Sequence, residues 1–356
     1  MNKTFNLKIQ SIILLLMSSF IFSQNADDLR KKYDLEGNIS SVIVEKYQSK
    51  PVFNSINPKI STEKIFFTKT NKLAELSRSA INGKSKILNS YNNNGDLLST
   101  TKFSGSKIYS SIKYVYNEKK QVIEEIKFDE KGVLSESTKI SYNYEGKEIT
   151  RTVFNSLSKI ERKTEITYNK KGRDDKTIYF EKDGKIGSYY FSSHNKLGKL
   201  VEDKVLTADN RIRRKTLIFY NTNNLEVKRI RYTWNERLRD SIIKLYDENL
   251  LIRKIYYKSS GKVDYKILYE YDNNKNLTKY VSLNPKDEQR EKWIYKYDKA
   301  NNIEILKYGS DNNSIKRKTI MKYDYKNNLI EKTEFKFLNS KLEKSTWENR
   351  TIEYYK

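Results

Sequence analysis

The sequence predicts an all-β protein: an antiparallel meander of hairpins forming one long coiled repeat sheet. Three observations predict it. A tyrosine-anchored motif returns about every 25 residues, a weaker series keeps the same period offset by half, and apolar and charged residues alternate between the turns.

The anchors are Tyr91, Tyr116, Tyr168, Tyr220, Tyr246, Tyr271, Tyr297 and Tyr323, each followed by Asn or Asp, a short polar stretch and an aliphatic residue. YNNNGDL from Tyr91 and YDNNKNL from Tyr271 are examples, and the last five anchors lie 26, 25, 26 and 26 residues apart. A fixed period of this size marks a repeat array. The second series contains FSGSKI from Phe103, FDEKGVL from Phe128, FNSLSKI from Phe154, FEKDGKI from Phe180, YKSSGKV from Tyr257 and YGSDNNSI from Tyr308. It halves the unit to about 13 residues, room for one strand and one turn but too little for a helix with its connections.

Between turns the strands read independently. Ile112, Tyr114 and Tyr116, Ile140, Tyr142 and Tyr144, Ile267, Tyr269 and Tyr271, and Trp293, Tyr295 and Tyr297 form apolar rows, because residues two apart share one face of a strand. Lys113, Lys266, Glu270 and Lys296 fall on the opposite face. Tyr, Ile, Thr and Phe suit a pleated, half-buried surface, while Asn, Asp and Gly supply turn geometry. The only prolines are Pro51, Pro58 and Pro285, so the ladders run largely uninterrupted. No convincing amphipathic helix follows residue 30.

Three segments follow: a signal peptide over 1–23, an N-terminal cap with a first degenerate repeat over 24–60, and the repeat array over 61–356. Lys3 and Lys8 precede the apolar run from Ile12 to Phe22, and Ser23 is the favoured cleavage position, with Ala26 an alternative. These are the parts of a secretory signal, and the run is shorter than the ~20 residues a membrane span needs. No later segment could cross a membrane as a helix. The chain is expected to be exported to the periplasm, cell surface or medium. The absence of cysteine excludes disulfides, a lipoprotein anchor and Cys-based metal sites, so packing alone must hold the fold.

Seventy basic and 45 acidic residues give a formal charge of +25, which the loss of Lys3 and Lys8 lowers by two. Such a surface attracts anionic polymers: acidic polysaccharide, lipopolysaccharide phosphate or nucleic acid. Compositional bias, with Lys blunting edge strands, accounts for the same charge. One stretch stands out. Arg211, Arg213, Arg214, Arg229, Arg231, Arg237 and Arg239 fall within 29 residues, interleaved with Phe219, Tyr220, Tyr232 and Trp234. Pairing of the strands around the Tyr220 turn brings Arg213 or Arg214 near Arg231, and like charges facing across strands need a counter-charge. A bound phosphate, sulfate or carboxylate would serve, since the Arg fork suits them; Glu226, Glu236 and Asp240 could serve internally.

Catalytic signals are weak. His194, the single histidine, sits in the degenerate turn FSSHNKL with no nucleophile motif around it, and without Cys or a second His a transition-metal site lacks its ligands. Carboxylates abound, yet no pair is set apart as an acid pair for glycoside cleavage. Asp272 to Asn276 looks like a calcium loop but lacks the closing glutamate and reads as turn chemistry. No phosphate-binding Gly-rich loop is present. No cofactor is expected.

YEYDNNKNL around Tyr271-Asp272 and YKYDKANNI around Tyr297-Asp298, with Tyr323-Asp324 after them, resemble the YD repeat of the RHS family, whose common form reads Y-x-Y-D-x-x-G-R-L. The glycine survives in YNNNGDL and YNKKGRD but is Asn in most other copies, and the Arg is nearly always missing. YDLEGNI from Tyr33 looks like a first copy and TIEYY at the end like half of a last one. The resemblance implies a long antiparallel sheet that coils as strands are added, of the degenerate secreted type found in Bacteroidetes envelopes. Large RHS proteins wrap such a sheet around a C-terminal toxin; this short chain shows no such appendage, so toxin delivery is not expected.

The expected function is therefore that of an exported, non-enzymatic binding or structural module with a basic surface. An outer-membrane barrel of about 24 strands is the second architecture, against which Lys254, Lys279 and Glu331 would place charge on the lipid-facing row. A propeller would need a four-strand period of about 40 to 50 residues. A polysaccharide-acting enzyme with a carboxylate pair is the remaining class.

Overall fold

The computed structural model describes residues 26–33, 35–49, 59–80, 83–299, 302–311, 314–338 and 341–355. The expected signal peptide, 1–23, lies outside the described residues. One short helix, α1 (Ala26–Tyr33), precedes a 24-stranded antiparallel sheet. The sheet is a meander: each strand pairs with the next in sequence, as the 13-residue unit predicts. The sequence reading did not foresee one feature of its first choice: β1 (Ile39–Gln48) also pairs antiparallel with β24 (Lys341–Tyr354), Val42 opposite Ile352 and Val44 opposite Arg350. The sheet is a closed barrel with no free edge.

The repeat has a direct structural meaning. β4 (Gly83–Tyr91), β6 (Lys107–Tyr116), β8 (Leu134–Tyr142), β10 (Ile160–Tyr168), β14 (Ile212–Tyr220), β18 (Val263–Tyr271), β20 (Gln289–Tyr297) and β22 (Ile315–Tyr323) all end on an anchor tyrosine. β16 (Arg237–Asp247) ends one residue past Tyr246, and β12 (Ile186–His194) ends on His194. The anchor series thus includes two positions the sequence reading passed over. Tyr142 is an anchor, while Tyr144, assigned to the strand row, sits in the turn at 86% exposure. His194 occupies a tyrosine position, and its Nδ1 is buried without a hydrogen-bond partner.

The hydroxyls of Tyr91, Tyr116, Tyr142, Tyr168, Tyr220, Tyr246, Tyr271 and Tyr297 each donate to a carbonyl at or beside the start of the preceding strand, while that of Tyr323 turns to the Met321 sulfur. The acceptors lie in β3 (Leu73–Ala80), β5 (Leu97–Ser104), β7 (Val122–Phe128), β9 (Glu148–Asn155), β13 (Leu200–Thr207), β15 (Glu226–Thr233), β17 (Leu250–Lys258) and β19 (Leu277–Leu283). Tyr91 reaches Leu73 O at 2.7 Å, Tyr168 Glu148 O at 2.6 Å, Tyr220 Leu200 O at 2.9 Å and Tyr297 Leu277 O at 2.9 Å. The accepting carbonyl lies just beyond the ladder with the anchor strand, whose pairing starts at Glu75 opposite Leu88 and at Glu202 opposite Leu217, so the phenol supplies a donor there.

Most of the anchor turns are type I with a left-handed fourth residue, while the Tyr246 turn has two consecutive left-handed residues, Glu248 and Asn249. Asn92 N–H bonds Asp96 O, Gly95 N–H bonds Asn92 O, and the Asn92 side chain caps Asp96 N–H at 2.8 Å. The residue four past the anchor has positive φ whether it is Gly95, Lys120, Gly172, Asn224, Lys275 or Asn327. This is the glycine position of the YD pattern, and Asn tolerates the same geometry. At Gly172 a Cβ would also collide with the Lys147 amine, which crosses from the neighbouring turn.

Following cross-strand partners around the ring from Val42 through Ile65, Leu76, Thr100, Ile112, Thr138 and onward returns to Arg350 and Val44 on one unbroken face. That face is the lumen. It carries the anchors and the apolar rows, together with small buried residues such as Thr100, Thr138, Thr177, Ser192, Thr216, Ser282 and Thr319, as expected where strands crowd on a concave side. Lys113, Lys266, Glu270 and Lys296 lie on the outer face, as do Lys279 and Glu331; Lys254, by contrast, pairs with Lys244 and Ile267 and faces the lumen. A ring of this size is wider than the roughly eight strands whose side chains fill a barrel.

At one sector the lumen is plugged. Leu29, Tyr33 and Leu35 bury against Val42, Val44, Ile65, Phe67, Leu73 and Leu76, forming the hydrophobic core cluster. Glu63, on β2 (Lys59–Phe67), accepts from Tyr33 Oη at 2.7 Å and Arg78 Nε at 2.8 Å, and Arg350 donates to Tyr33 O at 2.6 Å. Tyr33 therefore closes a helix; it does not end a first repeat strand. The following turn keeps the repeat geometry, with Gly37 at φ 84.

Two outcomes are expected. Tyr297→Phe removes one hydrogen bond and should cost about 1 kcal/mol, whereas Tyr297→Ala should cost about 3 kcal/mol, measured by denaturant unfolding; no cost for Tyr297→Phe would show that the hydroxyl contributes nothing, and equal costs that the ring adds nothing beyond it. Burial raises the pKa of the anchor phenols Tyr91, Tyr116, Tyr220, Tyr271 and Tyr297, and lifts Tyr265 and Tyr269 to about 12. A folded-state pKa above the unfolded value near 10 gives stability that is full below about pH 10 and lost as pH rises toward about 12. The melting temperature should stay level up to about pH 10 and fall steeply above it.

Candidate functional site

The arginine-rich segment spans β13 to β16, and the barrel splits it between faces. Thr216 pairs with Asp203 on one side and Arg231 on the other, and Ile218 pairs with Arg229, so Arg214, Arg229 and Arg231 face the lumen. Arg211, Arg213, Arg237 and Arg239 lie at or near the rim formed by the β13–β14 and β15–β16 turns.

The lumenal arginines meet acids of the chain itself. Arg229 forks onto Glu226 with 3.0 and 2.9 Å bonds, Lys244 reaches the same carboxylate at 3.0 Å, and Arg231 bonds Asp240 at 2.6 Å. Burial works against the charge on Glu226, but the bonds from Arg229 and Lys244 outweigh it and hold the carboxyl below its usual range. Arg214 stands 4.0 Å from Asp203, whose carboxyl burial pushes up, with Arg214 only partly offsetting it. Arg214 lies opposite Thr233, diagonal to Arg231, so the expected arginine juxtaposition is relieved by register as well as by acids.

The rim differs. The Arg213 guanidinium lies 5.6 Å from the centre of the Trp234 ring, which is 47% exposed in the β15–β16 turn, and Asn235 N–H bonds Ile212 O to tie the two turns together. Arg211 pairs with Asp209 at 2.7 Å and Arg239 with Asp240 at 3.5 Å. Among the described residues neither Arg213 nor Arg237 has an acid within ion-pair distance. An exposed indole with the unneutralised Arg213 guanidinium beside it can stack on a ring and grip an anion.

Sequence reasoning missed the lumen beside α1. A cavity of about 460 Å³ lies between Lys32 and Tyr33 and the wall of β20, β22, β24, β21 (Ile303–Tyr308) and β23 (Leu329–Leu338). Trp293 and Arg317 line it. The alternation of Trp293, Tyr295 and Tyr297 was visible; that their face looks into a cavity depends on closure. No cluster of three or more metal-ligating side chains occurs among the described residues. No helix there is long and apolar enough to cross a membrane.

No protein-family model matches the chain, and no curated protein does. The chain is similar to several solved structures, each at a TM-score under 0.5. The crystal structure of TcdB2-TccC3 is 9% identical with a TM-score of 0.34, covering 84% of this chain and 21% of that one. A porin-like protein from Bacteroides uniformis ATCC 8492 is 11% identical with a TM-score of 0.25, covering 88% and 98%. A protein of unknown function from Bacteroides fragilis NCTC 9343 is 16% identical with a TM-score of 0.24, covering 33% and 92%. The chain spans about a fifth of the length of the first of these.

Glu226→Gln leaves Arg229 and Lys244 without their shared counter-charge, and should lower unfolding free energy by about 1–3 kcal/mol. Unchanged stability would show that the lumenal arginines are neutralised from elsewhere.

Proposed function

We propose that this protein is an exported, non-enzymatic β-shell that binds an anionic partner at its basic surface. The repeat is read as a degenerate coiled YD-type sheet that has closed on itself. The observation that carries this reading is the outer wall. Outward-facing positions near the strand ends hold ion pairs, Lys279 with Glu270 at 2.8 Å and Lys322 with Glu331 at 2.8 Å. Lys266, Lys292 and Lys318 face outward further in, so charge flanks the apolar row of Val281, Ile294 and Leu306 where a lipid-embedded barrel needs an apolar band about 25 Å tall. A wall of this kind suits water. The surplus of cations, with Trp234 and Arg237 exposed and Arg213 half-buried at one rim, suits acidic polysaccharide, lipopolysaccharide phosphate or nucleic acid.

A second reading has its own support. An even number of antiparallel strands in a closed ring is the plan of outer-membrane barrels, and Val115, Phe219 and Leu245 are exposed apolar residues of the outer face. Fractionation separates the two. The full chain expressed in a Gram-negative host should leave the cells' membranes on alkaline carbonate wash and bind heparin resin at low salt, with affinity falling steeply as salt rises. Retention in the outer membrane after the wash would favour the barrel reading. Changing Arg211, Arg213, Arg237 and Arg239 together to Ser should weaken heparin binding more than changing Lys266, Lys279, Lys296 and Lys307; equal losses would mean diffuse attraction with no site.

A further inference from the structure

The cavity beside α1 has the make-up of a ligand site, and it is separate from the arginine-rich rim. We propose that it binds a sugar acid, a pyranose ring bearing a carboxylate such as a uronate unit of an acidic polysaccharide. This rests on reading the chain as a binding shell and adds a second, lumenal site to it.

Three features converge. First, pairing around the ring sets Tyr269, Tyr280, Trp293, Lys307 and Arg317 in one continuous row across β18 to β22. Neighbouring strands stand about 4.8 Å apart. Tyr269 and Tyr280 pack edge to face at 5.7 Å, so the row is a run of aromatic rings that ends in cations, and its Trp293 and Arg317 line the cavity. Second, Glu291 neutralises Lys307 at 2.6 Å, and the Lys307 amine lies 4.8 Å from the Trp293 ring centre. Arg317 is the next cation along, half-buried on the cavity wall, and no acid lies within ion-pair distance of it among the described residues. Third, Glu334 also lines the cavity, held by Lys332 at 2.8 Å. Burial opposes its charge, but the Lys332 bond and the field of Arg317 keep its carboxyl below the usual range.

This combination selects among anions. An indole face packs on the C–H face of a sugar ring, and a guanidinium forks onto a carboxylate. Glu334, charged and acceptor-only, accepts hydroxyl protons, which a pyranose ring offers in number and a phosphodiester does not. A polyhydroxylated ring with a single carboxylate satisfies all three groups; a deoxyribonucleotide strand offers Glu334 few such donors. The cavity volume of about 460 Å³ falls in the range of small-ligand pockets.

The test uses the full chain and a galacturonic acid trimer, with maltotriose and a thymidine trinucleotide as comparators. Binding is read by calorimetry and by tryptophan fluorescence. The wild-type protein should bind the uronate trimer saturably and the comparators far more weakly. Arg317→Gln should weaken uronate binding about tenfold or more, and Arg317→Lys should fall between, because charge is kept but the fork is lost. Trp293→Phe should abolish most of the fluorescence change, while Arg213→Ser with Arg237→Ser should leave uronate affinity unchanged. Circular dichroism and melting temperature of each variant check folding; if Arg317→Gln misfolds, the Arg317→Lys affinity decides. No uronate binding, equal binding by wild type and Arg317 variants, or preference for the trinucleotide overturns the inference. Heparin binding that persists and still depends on the rim arginines would then leave the broader reading standing.

Discussion

The ladder between β1 and β24 is the constraint on which the rest of the structure depends. A meander of this length would otherwise present two unpaired edges, each a template for association with other chains. Pairing Ile39–Gln48 with Thr346–Tyr354 removes both. Closure in an antiparallel sense requires an even number of strands, and it requires each hairpin to advance the register by nearly the same amount. A period held at 25 or 26 residues meets that need. The tyrosine hydroxyls fix the same quantity locally, because eight of them, from Tyr91 to Tyr297, tie a strand end to its neighbour's start.

Closure also creates an interior, and the interior reverses the usual economy of a small β-protein. The aromatic rows face inward but do not meet a second sheet. Much of the wall is instead satisfied by cross-strand ion pairs, cation-π contacts such as Lys254 over Tyr269, and ring contacts such as Tyr256 on Tyr265 at 4.1 Å. Among the described residues, only the sector beneath α1 is packed as a conventional core. Asn328, fully buried, binds both the backbone of Glu36 and the hydroxyl of Tyr354, so the start of the chain, the last repeat turn and the closing strand share one side chain.

Much of this was legible locally. Strand length, turn position and the face of Lys113 or Glu270 follow from signals a few residues wide, and the turn motif names its own left-handed residue. Tyr142 was passed over because YNYEGKEI carries a second tyrosine two residues on, which extends the apparent alternation into the turn. His194 was passed over because the ring had changed. Closure itself has no local signal: Val42 and Ile352 are ordinary strand residues, and only their registers make them partners. The split of the arginine segment between lumen and rim was hidden for the same reason, as was the cavity around Trp293 and Arg317. Without closure neither face is an inside.

The seam between first and last strands has a consequence for how the molecule is made. Every other pairing joins neighbours in sequence, so hairpins can nucleate and extend quickly from many points, as in other arrays of nearest-neighbour units. The seam joins residues some 300 positions apart, and its loop-closure entropy grows only slowly with that length. The slow event is therefore the wait for both ends to exist and meet. Until then the sheet is an open ribbon with two sticky margins, and the route of folding, more than the folded barrel, decides whether copies associate. A chain whose final strand was delayed would spend that interval exposed, and α1, lodged on β1 to β3, would be the part already in place to receive it.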